Sequence, residues 1–404
     1  MNQASPKAGS QPRGHGALWG SCAAIFWPGA LAFGFPGVMA SHWQQTFGVG
    51  RGEVGATMFF LLVAVGSFMF LAGRLQMRLG VRRIMIMGGL VSTADMFLAA
   101  WAPSMAWIYA WAFILGASQC CIYISALTTV QQWFPARRGL VSGAVNLTFA
   151  GGAAVMSPLL AWLLTTQGYV ATVLIIAAGN LVFIVVGALF TDLPEHRGVT
   201  PPQTPGAGAS QASLTGRQVL NTRAFWFFWA TVACMGASGI AMVTIATNFG
   251  LSLGLDLERA VVILAVFNLG SSGSRLLMGW LSDVIERTTA MSWAFAAAGA
   301  AYFVLPWLDG LWGPALLAGV VGFAFGTLFA VSAPLVVDCF GPLNFGEIFG
   351  LVFTSYGLLS GFLGPSLGGW LLDFTGGNFV LVFSYLGALA LAAGLLVRLV
   401  RPAT

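Results

Sequence analysis

The stretch Ala265-Val-Phe-Asn-Leu-Gly-Ser-Ser-Gly-Ser-Arg-Leu-Leu-Met-Gly-Trp280 decides how the chain must be read. Together with the residues before it, the stretch is long and apolar enough to cross a bilayer, since a helical span needs about 20 apolar residues. At its heart it carries Arg275. A charge at the centre of hydrocarbon costs about 2.5–3.5 kcal/mol on insertion scales. Such a residue survives where it faces water, a partner or an anion. One turn away on the same helix stand Ser271, Ser272, Met278 and Gly279, none of them acidic. Arg275 therefore reads as a fixed positive charge awaiting a negative charge from outside the protein, or a partner on another helix.

The surrounding chain supports a membrane reading. It has 404 residues, of which 58% are hydrophobic and 7% charged. Soluble domains carry about 25% charged residues. Apolar stretches fall near 18–40, 54–73, 84–101, 106–128, 140–163, 169–191, 224–250, 260–281, 289–307, 312–337, 347–371 and 378–397, which makes twelve. Glycine is abundant, at 53 residues, and small residues let membrane helices approach closely. Met1 to Gly16 is polar and lacks the apolar core of a signal peptide, so the first stretch is expected to remain as a span.

One long polar interval, from Asp192 to Arg223, holds Pro194, Pro201, Pro202 and Pro205 among Gly and Ser. That is linker composition. The expected organisation is an N-terminal tail (1–17), a six-helix bundle (18–191), a linker (192–223), a second six-helix bundle (224–397) and a C-terminal tail (398–404). If the termini, the linker and the loops after even-numbered spans share one side, that side collects 14 of the 17 Lys and Arg residues. The other side has Arg51 and Arg259, and Arg275 is the remaining one. The positive-inside rule then puts both termini in the cytoplasm. The sequence pI of about 9.2 is thus a topology signal, and no nucleic-acid partner is expected.

The halves echo each other. Pro135, Gly139, Gly143 and Pro158 recur as Pro342, Gly346, Gly350 and Pro365, each 207 residues further on. Gly73-Arg-Leu-Gln-Met77 is echoed by Gly279-Trp-Leu-Ser-Asp283. Two related halves imply a pseudo-two-fold axis along the membrane normal, a substrate site near the midplane between them, and rocking for alternating access.

Other chemistry is disfavoured. An intramembrane transferase would need clustered carboxylates for Mg²⁺ or a nucleophile–base pair, and the spans show no acidic pair and no His. The five cysteines read as small buried hydrophobes. His15, His42 and His196 are placed in tails and loops. No metal and no cofactor is expected.

Gly73-Arg-Leu-Gln-Met-Arg-Leu-Gly-Val-Arg-Arg83 resembles the signature loop of the major facilitator superfamily, Gly-x-Leu-x-Asp-Arg-x-Gly-Arg-Arg, with Met77 at the Asp position and the second half keeping Asp283. Three further segments are similar to the monocarboxylate transporters and the related oxalate:formate exchangers. These are Arg275-Leu-Leu-Met-Gly279, Gln132-Trp-Phe-Pro-Ala-Arg-Arg-Gly139 and Phe33-Gly-Phe-Pro-Gly37. The resemblance implies an all-α fold of twelve transmembrane helices in two pseudo-symmetric six-helix bundles. It also implies a carboxylate-binding role for Arg275 and transport of L-lactate with a proton. Three positions depart from those relatives: Gly37 where animal monocarboxylate transporters have Lys, Ser271 where they have Asp, and Tyr356 where the exchangers have Lys. The usual proton-handling groups are therefore missing.

Charge counting narrows the substrate. One cation in a low-dielectric cavity neutralises one carboxylate, whereas a dianion leaves a charge unpaired. A short monocarboxylate, lactate or pyruvate, is favoured over oxalate, with carboxylate exchange as the alternative. Asn268 and Ser271 stand two turns and one turn before Arg275, and either contact substrate or tie helices together. Tyr123 and Tyr356 fall well inside their spans and can donate to a carboxylate without adding charge. Asp283, Arg74 and Arg78 are candidate gate residues. Gln119 and Asn146 read as packing hydrogen bonds, and Asp95 as too far from the cavity to pair with Arg275. The expected protein is a monomeric carrier of a bacterial inner membrane whose partners are the anion, the proton and the lipid bilayer.

Overall fold

The structure is a computed structural model that describes residues 11–134, 138–192, 214–282, 284–341 and 345–401. Among them, twelve helices are long and apolar enough to cross a membrane. In chain order they are α1 (Gly14–Phe47), α2 (Arg51–Met69), α3 (Val81–Ala100), α4 (Met105–Val130), α5 (Leu140–Gln167) and α6 (Tyr169–Phe190). The later six are α7 (Arg223–Ser252), α8 (Leu257–Leu281), α9 (Arg287–Trp307), α10 (Trp312–Phe340), α11 (Ile348–Phe374) and α12 (Phe379–Val397). Each lies on one of the twelve apolar stretches. An even number of spans brings both chain ends to one end of the bundle, here called the terminal end; the other is the far end. Trp101, Trp107, Trp307 and Trp312 are exposed around the far end, where indoles suit a membrane–water boundary.

Two helices differ from the sequence expectation. α1 runs on to Phe47 and is broken at Gly34, a turn between helices ending at Phe33 and starting at Phe35. Pro36 lies in the first turn of the second piece, where its missing N–H is no loss. The extension puts His42 on a helix, not in a loop. α11 contains two π-helical turns, Tyr356–Ser360 and Phe362–Ser366, the second around Pro365. Proline removes a donor from the ladder, and widened turns of this kind often sit at functional positions.

Glycine sets the closeness of the contacts that matter. A Cβ at Gly37 would lie 2.0 Å from the Val243 carbonyl oxygen, so α1 and α7 meet backbone to backbone. A Cβ at Gly326 would lie 2.1 Å from the Ser271 carbonyl oxygen, so α10 presses on α8 in the same way. The first six helices meet the last six through α1 on α7, α2 on α11 and α5 on α8.

Polar contacts join them at the far end. Gln44 Nε2 donates to Asn248 Oδ1 (3.3 Å), and Thr165 Oγ1 donates to Glu258 Oε1 (3.2 Å). The Gly52 N–H donates to Asp373 Oδ2 (3.0 Å), with Arg51 Nη1 3.8 Å from Asp373 Oδ1. An unsatisfied N–H at the start of α2 and a carboxylate are natural partners, because the first turn of a helix attracts negative charge.

Candidate functional site

The site is built where α8 crosses α5. Gly143 and Gly151 give α5 a small-residue surface: a Cβ at Gly143 would meet Leu276 at 3.3 Å, and one at Gly151 would meet Ser272 Oγ at 3.3 Å. With that closeness, two side chains of α8 reach the α5 backbone. Ser272 Oγ donates to the Leu147 carbonyl (2.8 Å), and Arg275 Nη1 donates to the Asn146 carbonyl (2.9 Å).

Arg275 is 5% exposed. Its guanidinium carbon lies 5.1 Å from the centroid of Phe329 and 6.0 Å from that of Phe149, so aromatic faces from both halves flank the charge. Ring faces attract cations electrostatically, but they carry no net charge. Arg275 Nε is buried without a hydrogen-bond partner. Among the described residues, no carboxylate pairs with Arg275; the ion pairs are Arg51–Asp373, Arg259–Asp256 and Arg287–Asp338.

The two tyrosines come to Arg275 from opposite halves, both near enough to interact with it electrostatically. They are not equivalent. Tyr123 donates to Asn146 Oδ1 (2.8 Å), and Asn146 Nδ2 donates in turn to the Ser142 carbonyl (3.0 Å). Asn146 thus holds Arg275 by its backbone and Tyr123 by its side chain. Tyr356 opens the first π turn of α11 and is 7% exposed. Its ring is edge-on to Phe329 at 5.3 Å, with Phe325 and Phe353 each at 6.3 Å. Its hydroxyl is buried and has no partner.

The other expected residues have different placements. Asn268 uses its amide on the Leu264 carbonyl (3.1 Å) and the Phe33 carbonyl (3.3 Å), so it ties α8 to the break in α1. Ser271 is buried, and its carbonyl accepts from Ser274 Oγ (3.0 Å) where Gly326 packs. Arg78 is exposed one residue before the C-terminus of the helix that extends α2 to Leu79. Asp283 and the Arg74 side chain lie outside the described residues. Arg82 donates to the Ala188 and Leu189 carbonyls at the end of α6, a cation on a helix C-terminus. Arg287 pairs with Asp338 on α10.

Sequence reasoning missed the aromatic wall of Phe33, Phe149, Phe325 and Phe329, and it took Asn146 for a packing bond. Phe33 is edge-on to Phe149 at 5.4 Å and to Phe325 at 6.0 Å. The chain has 32 phenylalanines, so residue type alone could not single these out. Asn146 did carry a signal, as a polar residue within a span one position from the Leu147–Gly151 surface that meets α8.

The arrangement is a buried cluster between the halves, walled by rings, with one cation and two unsatisfied donors, Arg275 Nε and the Tyr356 hydroxyl. It suits a small anion with one charged group and an apolar remainder. No group of three or more His, Cys, Asp or Glu able to hold a metal is found among the described residues.

Comparison with known proteins agrees with the fold. The profile of the Major Facilitator Superfamily matches residues 22–321 and 263–404. The chain belongs to this superfamily, and it is a multi-pass membrane transporter, not an enzyme. It is 29% identical over 342 residues to human monocarboxylate transporter 11, covering 79% of this chain and 68% of that protein. It is 24% identical over 330 residues to the oxalate:formate antiporter of Oxalobacter formigenes, covering 80% and 78%. A bacterial homologue of the human lysosomal transporter Spinster, solved in an inward-facing, unoccupied conformation, shares the fold. It superposes with a TM-score of 0.69 over 98% of this chain and 96% of that one, at 12% identity.

Proposed function

We propose that the protein carries a short monocarboxylate, L-lactate or pyruvate, together with a proton across the bacterial inner membrane by alternating access. The terminal end would face the cytoplasm, as the arginine distribution favours, and the site residues would be Arg275, Tyr356 and Tyr123. The observation that carries the reading is Arg275: a buried cation with an unpartnered Nε, a neighbouring unpartnered hydroxyl and, among the described residues, no carboxylate upon it. A buried charge with no counter-charge is expensive, and a substrate carboxylate removes that expense. Arginine also offers a planar fork that fits a carboxylate.

Charge balance sets the substrate class. One carboxylate neutralises Arg275, and the phenylalanine wall accepts an apolar tail. The second carboxylate of oxalate would face rings, at a cost of several kcal/mol for an uncompensated charge. The names of the relatives support carboxylates in general. Asn268, which gives its amide to carbonyls of α8 and α1, would shape the site without touching substrate, and Ser271 would stand beside Arg275 one turn earlier on α8. Asp283, Arg74 and Arg78 remain proposed gate residues.

The test is uptake of labelled L-lactate into proteoliposomes, empty inside, with and without an inward proton gradient. Accumulation above equilibrium that collapses with a protonophore supports symport. Uptake only after preloading with a carboxylate would replace symport by exchange, the activity named for the Oxalobacter relative.

A further inference from the structure

Among the described residues, no acid lies at Arg275 to carry the proton that the proposed function requires. The molecule contains one elsewhere. Asp95 on α3 is 4% exposed and is the only acidic residue among the buried polar groups of the described chain. Neither of its carboxyl oxygens has a hydrogen-bond partner. The backbone stays helical through it, with the Asp95 N–H donating to the Val91 carbonyl (2.9 Å) and its carbonyl accepting from the Leu98 N–H (2.9 Å), so only the side chain is unsatisfied.

Two more unsatisfied groups stand on the helices packed against α3. Asn180 on α6 is fully buried and donates to Ser92 Oγ (2.9 Å) and Thr93 Oγ1 (3.0 Å), the turn before Asp95, leaving its own Oδ1 without a donor. Trp111 on α4 is fully buried with its indole N–H unpartnered. α3 and α4 are consecutive spans and run antiparallel, with Gly88 packed on the Ser118 carbonyl. Asp95 lies seven residues beyond Gly88, and Trp111 seven before Ser118, so the two stand at one level. A neutral carboxyl group, donor and acceptor at once, can satisfy surroundings that offer both a spare acceptor and a spare donor.

The groups facing Asp95 are otherwise uncharged. α4 and α6 carry no Asp, Glu, Lys, Arg or His. Their titratable groups are the phenols of Tyr109, Tyr123 and Tyr169 and the thiols of Cys120 and Cys121. The helix that includes α2, also packed on α3, brings charge only near its two ends, at Arg51 and Glu53 and at Arg74 and Arg78. A chain of hydrogen bonds and one ring stack leads from the far end to the backbone one turn beyond Asp95. The exposed Thr46 hydroxyl bonds His42 Nε2 (3.3 Å), and His42 stacks on Tyr169 at 4.3 Å. Trp43 Nε1 donates to the Tyr169 hydroxyl (3.0 Å), which donates to the Ala99 carbonyl (2.8 Å), one turn beyond Asp95.

We propose that Asp95 is the residue on which the transported proton travels. The proposal rests on the carrier function assigned to Arg275. Coupling follows from charge. Inside a low-dielectric protein the potential of a buried cation reaches far. While Arg275 is empty, its positive potential favours the Asp95 carboxylate. A bound substrate anion cancels that potential, and Asp95 takes up and keeps H⁺. The linkage is reciprocal, so a protonated Asp95 favours substrate binding. The buried groups carry no net charge when both ligands are bound or when neither is, and those are the two states suited to crossing.

Two measurements test this. Infrared difference spectra of the purified protein between acid and alkaline pH should show the carbonyl band of a protonated carboxyl group. That band should shift on ¹³C-aspartate labelling and vanish in Asp95→Asn. A band unaltered in that variant overturns the proposal, whatever the substrate. In proteoliposomes with labelled L-lactate, the wild type should accumulate about tenfold per unit of inward pH gradient. Asp95→Asn, fixed in the neutral form, should reach a ratio of about one while still exchanging internal for external lactate, and Asp95→Glu should regain part of the accumulation. Accumulation by Asp95→Asn equal to wild type, or accumulation driven by a sodium gradient in place of pH, overturns the proposal. Absence of lactate exchange in the wild type instead refutes the carrier reading, and the infrared band then decides Asp95 alone.

Discussion

Replacing Tyr356 by Phe should move stability and binding in opposite directions. The Tyr356 hydroxyl is buried and has no hydrogen-bond partner. A stranded polar group costs about 1–3 kcal/mol, so its removal should leave thermal stability unchanged or raise it. In the loaded protein the same hydroxyl would donate to a carboxylate, a charge-assisted bond of about 1.5–3 kcal/mol. At about 1.4 kcal/mol per factor of ten, Tyr356→Phe should weaken binding roughly 10- to 150-fold. Tyr123→Phe supplies the contrast. Its hydroxyl already donates to Asn146, so its loss strands an acceptor, should cost about 1 kcal/mol of stability and should weaken binding less. Calorimetric titration of L-lactate into the two purified variants, with a melting curve for each, reads both quantities. Unchanged affinity in Tyr356→Phe, or a fall in its stability like that of Tyr123→Phe, would refute the role given to the unpartnered hydroxyl.

Arg275→Ala should reduce lactate uptake by roughly a hundredfold or more, since a substrate charge left unpaired in a buried site costs about 3–5 kcal/mol; near-normal uptake in proteoliposomes would remove Arg275 from the site. Arg275→Lys should recover only part of the activity, because it restores the charge without the planar fork, and the same uptake assay checks it. Asp373→Asn should loosen the far end, where Asp373 caps α2 and pairs with Arg51. An ion pair about one-third exposed is worth no more than about 1 kcal/mol, so a cysteine placed at Gln44, beside the α1–α7 contact, should react with an impermeant thiol reagent about two- to fivefold faster. An unchanged rate would mean that the contact does not hold that end closed.

The sequence by itself determined the number of spans, the membrane setting and Arg275. Hydropathy is a property of consecutive residues, and a charge among apolar neighbours is visible without knowing what surrounds it. The break at Gly34 and the π turns of α11 escaped that reading. Proline and glycine mark where a ladder can yield, but the neighbouring helix decides whether it bends, widens or stays straight. The site was legible in part for the same reason. Tyr123 and Tyr356 are alike in sequence, each a tyrosine within a span, and only packing distinguishes them. α5 brings Asn146 to the first, while phenylalanines surround the second and leave its hydroxyl bare. Asn268 points at its role by spacing, yet the rotation of α8 against α1 gives its amide to the Phe33 carbonyl. Asp95 shows the limit most clearly. The sequence shows an acid in a span, but a proton site is defined by which donors and acceptors fail to reach it. That failure is fixed by the register of α3 against α4 and α6, and so exists only in the folded molecule.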